Sequence, residues 1–348
     1  MEIIKELKDI SLPITEPEYR QRPELSYSTL STYERSGFNN LDHLFDKKST
    51  PSLTHGSMVD EMITGSIDSF NERFLVLDIE ITDSGKAICQ ALIDKHLDYE
   101  DFTQIPEFIV SNIAKDTEFW KADKWDKIRY KKVLETGNIA QLYNAMYHAD
   151  RTIVNTKEYQ QAVACVRALR ESPATCWYFA DNDPLSPIKR YYQLKFAARF
   201  EGVGYRCMMD LAVCDYEHKI IYPCDLKTSS HTEWDFQDSF KQWLYLVQAR
   251  LYWRILKANM MKDPYFKDFT LADYRFIVVN KFTLTPLVWE FPLTKSRGTL
   301  IDNKGNEYRD PFVIGKELQG YLNSRPKVPN GINLDGVNII DCLKLKEE

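Results

Sequence analysis

The chain has 348 residues, with 45 Lys and Arg against 51 Asp and Glu, a formal net charge of −6 at neutral pH. Hydrophobic residues at 44% and charged residues at 28% are ordinary globular values that exclude a disordered or fibrous chain, and the acidic balance excludes a protein coating nucleic acid through bulk charge. No uncharged apolar run approaches the roughly 18 residues of a membrane span. Met1–Leu12 mixes charges without the apolar centre of a secretory signal, which points to a cytoplasmic protein without a membrane partner.

In chain order, Ser26 and Ser28 stand as helix caps ahead of an apolar-periodic run through residue 46. Residues 56–65 predict a short helix bounded by Gly56 and Gly65. From about 105 to 180 the pattern is helical, with Ile113, Phe119, Ile139, Leu142 and Val163–Leu169 supplying apolar faces. Within it, Trp120–Lys132 interleaves Trp120, Trp125 and Tyr130 with Lys121, Lys124, Lys127, Arg129, Lys131 and Lys132. That composition suits a surface that tracks a nucleic-acid strand, and equally a solvated amphipathic helix face.

Near residue 190 the period changes from helical to alternating. Tyr192, Leu194, Phe196, Ala198 and Phe200 alternate with more polar residues and predict a half-buried strand. Glu201–Gly204 predicts a turn, Tyr205–Cys214 a second strand, Asp215–Lys219 another turn and Ile220–Cys224 a third strand. Phe240, Leu244, Val247 and Leu251 recur at helical spacing and predict one helix over Phe236–Leu256. Tyr274–Val279 and Leu287–Phe291 read as later strands, so the order predicts an α/β core with helical additions. Seven cysteines, at 89, 165, 176, 207, 214, 224 and 342, form no C-x-x-C pair, which argues for reduced thiols and against a zinc ribbon or an iron–sulfur cluster.

The stretch that carries chemistry is Asp210 followed fifteen positions later by Asp225-Leu226-Lys227. On adjacent paired strands the two carboxylates can converge on one hard, oxygen-preferring cation such as Mg²⁺. Side chains alternate along a strand, so Asp225 and Lys227 share a face, and Lys227 can orient or deprotonate a water or neutralise phosphate charge. Burial beside a cation is expected to lower the Lys227 pKa. An Asp-x-Lys alone is also common as a solvated strand end. Here it enters Thr228-Ser229-Ser230, hydroxyls able to donate to a phosphate or to cap the next helix. Gln248 and Tyr252 then lie one turn apart on one helix face.

This arrangement resembles the PD-(D/E)XK nuclease superfamily, in its RecB-like branch, and is most similar there to phage and prophage exonucleases of the exodeoxyribonuclease VIII type. Four segments carry the resemblance: Ser26–Tyr33, Gly56-Ser57-Met58-Val59-Asp60, Asp210 with Asp225-Leu226-Lys227, and Gln248–Tyr252. It implies a restriction-endonuclease-like α/β core, a mixed central sheet flanked by helices with a large helical insertion. The whole chain, 1–348, would form a single nuclease domain. Residues 20–75 would be the N-terminal helical part of the core, 76–185 the insertion, 186–300 the catalytic sheet with the Gln-x-x-x-Tyr helix, and 301–348 a C-terminal extension.

By the same resemblance Asp210, Asp225 and the Leu226 carbonyl would ligate Mg²⁺, with Mn²⁺ an alternative, and Lys227 would be the catalytic lysine. Asp60 falls where many relatives place a His on a second metal; a helix-surface carboxylate is its other reading. Gln248 and Tyr252 would line the rim and touch DNA, with core packing as the alternative. The implied activity is a metal-dependent exonuclease acting 5′ to 3′ on linear double-stranded DNA ends in phage recombination or replication. The implied partners are a single-strand annealing protein and further copies of the chain. An endonuclease, a flap or single-strand nuclease, and a catalytically silent DNA-binding or assembly module are the competing readings. Ser186–Ser230, which holds the candidate site, has seven Lys and Arg against five Asp and Glu, so a locally basic cleft sits within an acidic chain.

Overall fold

The computed structural model describes residues 5–37, 41, 44–45, 50–95, 98–119, 126–136 and 138–323. Contacts divide the chain into two units, the first comprising Met1–Lys48, Arg170–Asn280 and Thr285–Glu348, the second Ser49–Leu169 with Lys281–Leu284. The chain begins in the first unit with α1 (Glu16–Gln21) and α2 (Tyr27–Ser36). Ser26 caps α2 by accepting the Thr29 N–H, and the helix stops at Gly37, at φ +57°.

The second unit follows with α3 (Pro51–Thr64), α4 (Ile67–Arg73), β1 (Phe74–Leu77), α5 (Asp83–Asp94), α6 (Glu107–Asp116), α7 (Asp126–Glu135), α8 (Ile139–His148), β2 (Thr152–Asn155) and most of α9 (Thr156–Glu171). Gly56 lies inside α3, because the Thr50 side chain caps the helix ahead of it and Pro51 suits its first turn. Of the apolar faces read from the sequence, Ile113, Ile139 and Leu142, with Phe119 against them, meet in a core with Ile88, Leu92, Val110 and Tyr143; Val163–Leu169 is not part of it, and Val163 is exposed. β1 and β2 pair in parallel, from Phe74↔Thr152 to Leu77↔Asn155, inside a stretch whose pattern is otherwise helical.

The first unit resumes with α10 (Cys176–Phe179), β3 (Ile188–Phe200), β4 (Val203–Asp215), β5 (Ile220–Ser229), α11 (Phe236–Gln242), α12 (Tyr245–Lys262), β6 (Thr270–Leu271), β7 (Tyr274–Asn280), β8 (Pro286–Phe291), β9 (Leu300–Ile301), β10 (Glu307–Tyr308) and α13 (Pro311–Asn323). Six strands form one mixed sheet in the order β3-β4-β5-β7-β8, with β6 beside β5. β5 and β7 are parallel, and α11 and α12 supply the crossover that a parallel pair needs. The meander is tight where the backbone allows it: Glu201 and Gly202 both take positive φ, as a two-residue hairpin turn requires.

α12 packs on β3, β4 and β7, with Leu251, Ile255, Leu256 and Met260 fully buried. Each such side chain stabilises the fold by about 1.5–3 kcal/mol relative to exposure. The single helix expected over Phe236–Leu256 is two helices. α11 ends where the Trp243 N–H donates to the Ser239 carbonyl at 2.9 Å, and Leu244 takes φ +57° before α12 begins. No Gly or Pro announces that break.

The alternation in β3 also shifts. Tyr191, Leu194, Phe196 and Ala198 face the main core, so Tyr192 sits on the other face from the one its pattern suggested. The shift occurs at Gln193, at φ +53°, and β4 changes phase at the matching point, with Met209 and then Ala212 facing that core. The position opposite Gln193 in this register is Asp210.

On α13, a methyl group added at Gly315 would run into the Tyr205 ring and hydroxyl. Gly315→Ala is therefore expected to lower stability by about 1–3 kcal/mol, the cost of overpacking, rather than give the gain of about 1 kcal/mol usual in an open helix. Denaturant unfolding decides between the two signs.

Candidate active site

The β4–β5 ladder ends at Leu211↔Cys224, and beyond it β5 continues with β7 alone, from Asp225↔Phe276 to Ser229↔Asn280. Asp210 and Asp225 are the first residues past the last β4–β5 pair, one on each side of the fork. In place of a ladder bond the Leu226 N–H donates to Asp210 Oδ2 at 3.0 Å. A strand residue's N–H and C=O leave on the same edge, so the Leu226 carbonyl is also turned toward β4 and Asp210.

Asp225 and Lys227 share the opposite face of the strand from Leu226, as alternation predicts, and that face looks at α12. Asp225 is 1% exposed. Its Oδ2 pairs with the Lys227 ammonium, and its Oδ1 accepts from Gln248 Nε2 on α12. The Lys227 ammonium also lies 5.0 Å from the centroid of the Tyr245 ring. Burial pulls the Lys227 pKa down, but Asp225, Tyr245 and Asp210 raise it by more, and the net direction is upward. The acids around Lys227 outweigh its burial and hold it as an ammonium.

Gln248 does not stand at a rim. It is buried and ties α12 to Asp225, which makes it a positioning group for that carboxylate. Tyr252 is buried one turn further on, its ring edge-on to Tyr274 at 6.4 Å between centroids, and burial pushes its hydroxyl well up. Thr228 pairs with Val279 in the sheet rather than lying in a loop. The Ser229 hydroxyl donates to the His231 carbonyl at 3.2 Å and accepts the His231 N–H at 3.0 Å, closing its own turn.

Asp60 is a half-buried residue of α3 and belongs to the second unit. Lys124 lies outside the described residues, as does the side chain of Lys127. Arg129 is fully buried in α7 and cannot track a strand at the surface, a correction to its reading as a DNA contact: its face of the helix turns inward.

Sequence reasoning missed Tyr245 and Tyr274. Tyr245 lies three residues before Gln248 on the same helix face, so the spacing that singled out Gln248 and Tyr252 could have found it. Tyr274 stands at the start of β7 with no local signal; only the parallel pairing brings it near the acids.

The donor set can be tested against a divalent cation. Two carboxylates and a backbone carbonyl gather at the fork, an all-oxygen set of the kind Mg²⁺ and Mn²⁺ accept. Two buried polar atoms beside Asp225, the Gln248 Oε1 and the Tyr274 hydroxyl, have no hydrogen-bond partner, as is found where water or an ion completes a site. The residues fit such a group. Among the described residues no three His, Cys, Asp or Glu side chains gather as one metal-binding cluster.

No family model matches the chain, and no curated protein matches it. A crystal structure from Eubacterium rectale, described as a "Putative exonuclease", aligns with a TM-score of 0.45 and 12% sequence identity, covering 90% of this chain and 86% of that one. Likeness at that level identifies neither a shared activity nor shared residues. Among the described residues no helix is long and apolar enough to cross a membrane.

Lys227→Met would leave a buried carboxylate without its cation, at an expected cost of about 3–5 kcal/mol in urea unfolding at pH 7. Because the folded pKa of Lys227 is raised, its contribution is complete below the ordinary value of 10.5 and lost only as pH climbs through the raised one. The difference between wild type and variant should therefore hold steady from pH 7 to 9. A variant as stable as wild type would show that the pair does not hold the site together.

Proposed function

We propose that this protein is a Mg²⁺- or Mn²⁺-dependent deoxyribonuclease that degrades linear double-stranded DNA from its ends, 5′ to 3′. The single-stranded product would pass to an annealing protein in phage recombination or replication, and the enzyme would work as an assembly of several copies in the cytoplasm. The observation that carries the reading is the meeting of Asp210, Asp225 and Lys227 at the fork between β4 and β5.

Asp210, Asp225 and the Leu226 carbonyl would hold the metal. When bound, the cation supplies Lewis-acid polarisation of the phosphodiester and a more acidic water. The protein's own groups do the rest. Gln248 fixes one oxygen of Asp225 and the Leu226 N–H fixes one of Asp210, so neither carboxylate is free to turn away. Lys227, charged and aimed at the same place, can donate to a phosphate oxygen and stabilise the negative charge that grows there. Burial of Asp225 and the tyrosine rings behind it lower the local dielectric, which strengthens those interactions.

The test uses end-labelled linear duplex and covalently closed circles, each with Mg²⁺ or with EDTA. Wild type should shorten the linear substrate from its 5′ ends only with the metal, and Lys227→Ala should slow it by about 10²–10⁴-fold. Asp225→Asn should abolish it. Cleavage of circles would replace the exonuclease with an endonuclease on the same site. No cleavage of either substrate, or an Asp225→Asn variant as active as wild type, would leave only the DNA-binding or assembly module.

A further inference from the structure

The break between α11 and α12 places an exposed cation–aromatic pair beside the candidate site. The Arg35 guanidinium, on α2, lies over the indole of Trp243 at 5.2 Å from the ring centroid. Arg35 is exposed and Trp243 is 43% exposed, unusual for a Trp on a folded domain. Leu244 follows at φ +57°, a conformation that costs a leucine about 1–2 kcal/mol and that glycine normally occupies at a helix end.

That strained residue sets two aromatics on opposite errands. Tyr245, just after it, is turned inward over Lys227, while Trp243, just before it, is left at the surface. The Tyr27 hydroxyl donates to the Trp243 carbonyl at 2.6 Å, and the Tyr27 and Tyr245 rings are 6.4 Å apart. Arg35 is itself steadied by its Nε, which donates to the Ser31 carbonyl at 3.0 Å. The pair is thus fixed to two elements, α2 and the α11–α12 turn, and joined through one tyrosine contact to the lysine of the site.

We infer that Arg35 and Trp243 form the platform that receives an unpaired DNA strand next to the site, an inference that rests on the nuclease reading above. An indole presents a flat face to any base, and a guanidinium can pair with the adjoining phosphate. The guanidinium shields the indole in the free protein and turns to a phosphate oxygen when a base takes its place. Binding of this kind is indifferent to sequence, as an enzyme that consumes a whole strand requires. It also supplies locally the positive charge that the acidic chain lacks overall.

Anisotropy of a labelled single-stranded oligonucleotide, with the full chain in EDTA and over a range of salt, tests this without any turnover. Trp243→Ala should weaken binding about ten-fold, with the slope of log affinity against log salt unchanged, while Trp243→Phe, which keeps an aromatic face, should stay within about two-fold. Arg35→Gln should reduce the salt slope by about 0.7, one phosphate's worth on a single strand. Equal affinities for wild type and Trp243→Ala, or an equal loss in Trp243→Phe, would overturn the platform and leave the nuclease reading standing. An unchanged salt slope in Arg35→Gln would remove the phosphate contact. Wild type that does not bind the oligonucleotide would overturn the platform, while the nuclease reading falls only to the cleavage assay above.

Discussion

A buried carboxylate is the constraint on which the first unit is organised. Asp225 is almost without solvent, and such a group is tolerated only where a charge and hydrogen bonds replace the water it has lost. Lys227 provides the charge from the same strand face and Gln248 the hydrogen bond from the helix above. α12 must therefore lie over β5 with one face turned down. The crossover between the parallel strands β5 and β7 carries it there, and its buried apolar residues hold it.

The same helix is pinned from a second direction. Arg250 is fully buried, and its guanidinium donates to the carbonyls of Ser296, Gly298 and Arg309 and to Asp310. Asp310 in turn accepts from Arg254 and from the Gly298 N–H. This network binds the segment between β8 and α13 to α12, so that a C-terminal stretch far from the acids in sequence still governs the seating of Gln248. Polar groups this deeply buried are costly when half satisfied, and here one arginine meets four acceptors.

Two of the seven described non-glycine residues at positive φ stand beside the site. Gln193 takes a left-handed conformation at the step where β3 and β4 exchange faces, opposite Asp210, and Leu244 takes one where two helices meet beside Lys227. Neither is glycine, and each conformation persists because packing on both sides over-determines it. At the first, the ordinary alternation of β4 breaks at Asp210 itself. At the second, one aromatic side chain is sent inward and its neighbour out.

Much of this was legible in the residues. Period-two alternation marked the meander, Ser26 marked a helix start, and Asp225 and Lys227 had to share a strand face because a strand has only two. The spacing of Gln248 and Tyr252 placed both on one side of α12, although not at a rim: the sequence could not say that this side faced the sheet. Nor could it show that Arg129, in a lysine-rich run, is turned inward, since burial depends on which helix face finds a partner.

What local pattern determined was the meander, the start of α2 and the face that Asp225 and Lys227 share, because these follow from backbone geometry within a few residues; it missed β1 and β2, the break between α11 and α12 and the face of Tyr192. What only the tertiary structure decided was register and depth. The end of the β4–β5 ladder at Leu211↔Cys224, the pairing of β5 with β7 and the break at Leu244 arise from contacts between segments distant in the chain. Those contacts bring Asp210 to the Leu226 N–H and Gln248 to Asp225, and through them turn a common Asp-x-Lys into a buried, charged and directed group of side chains.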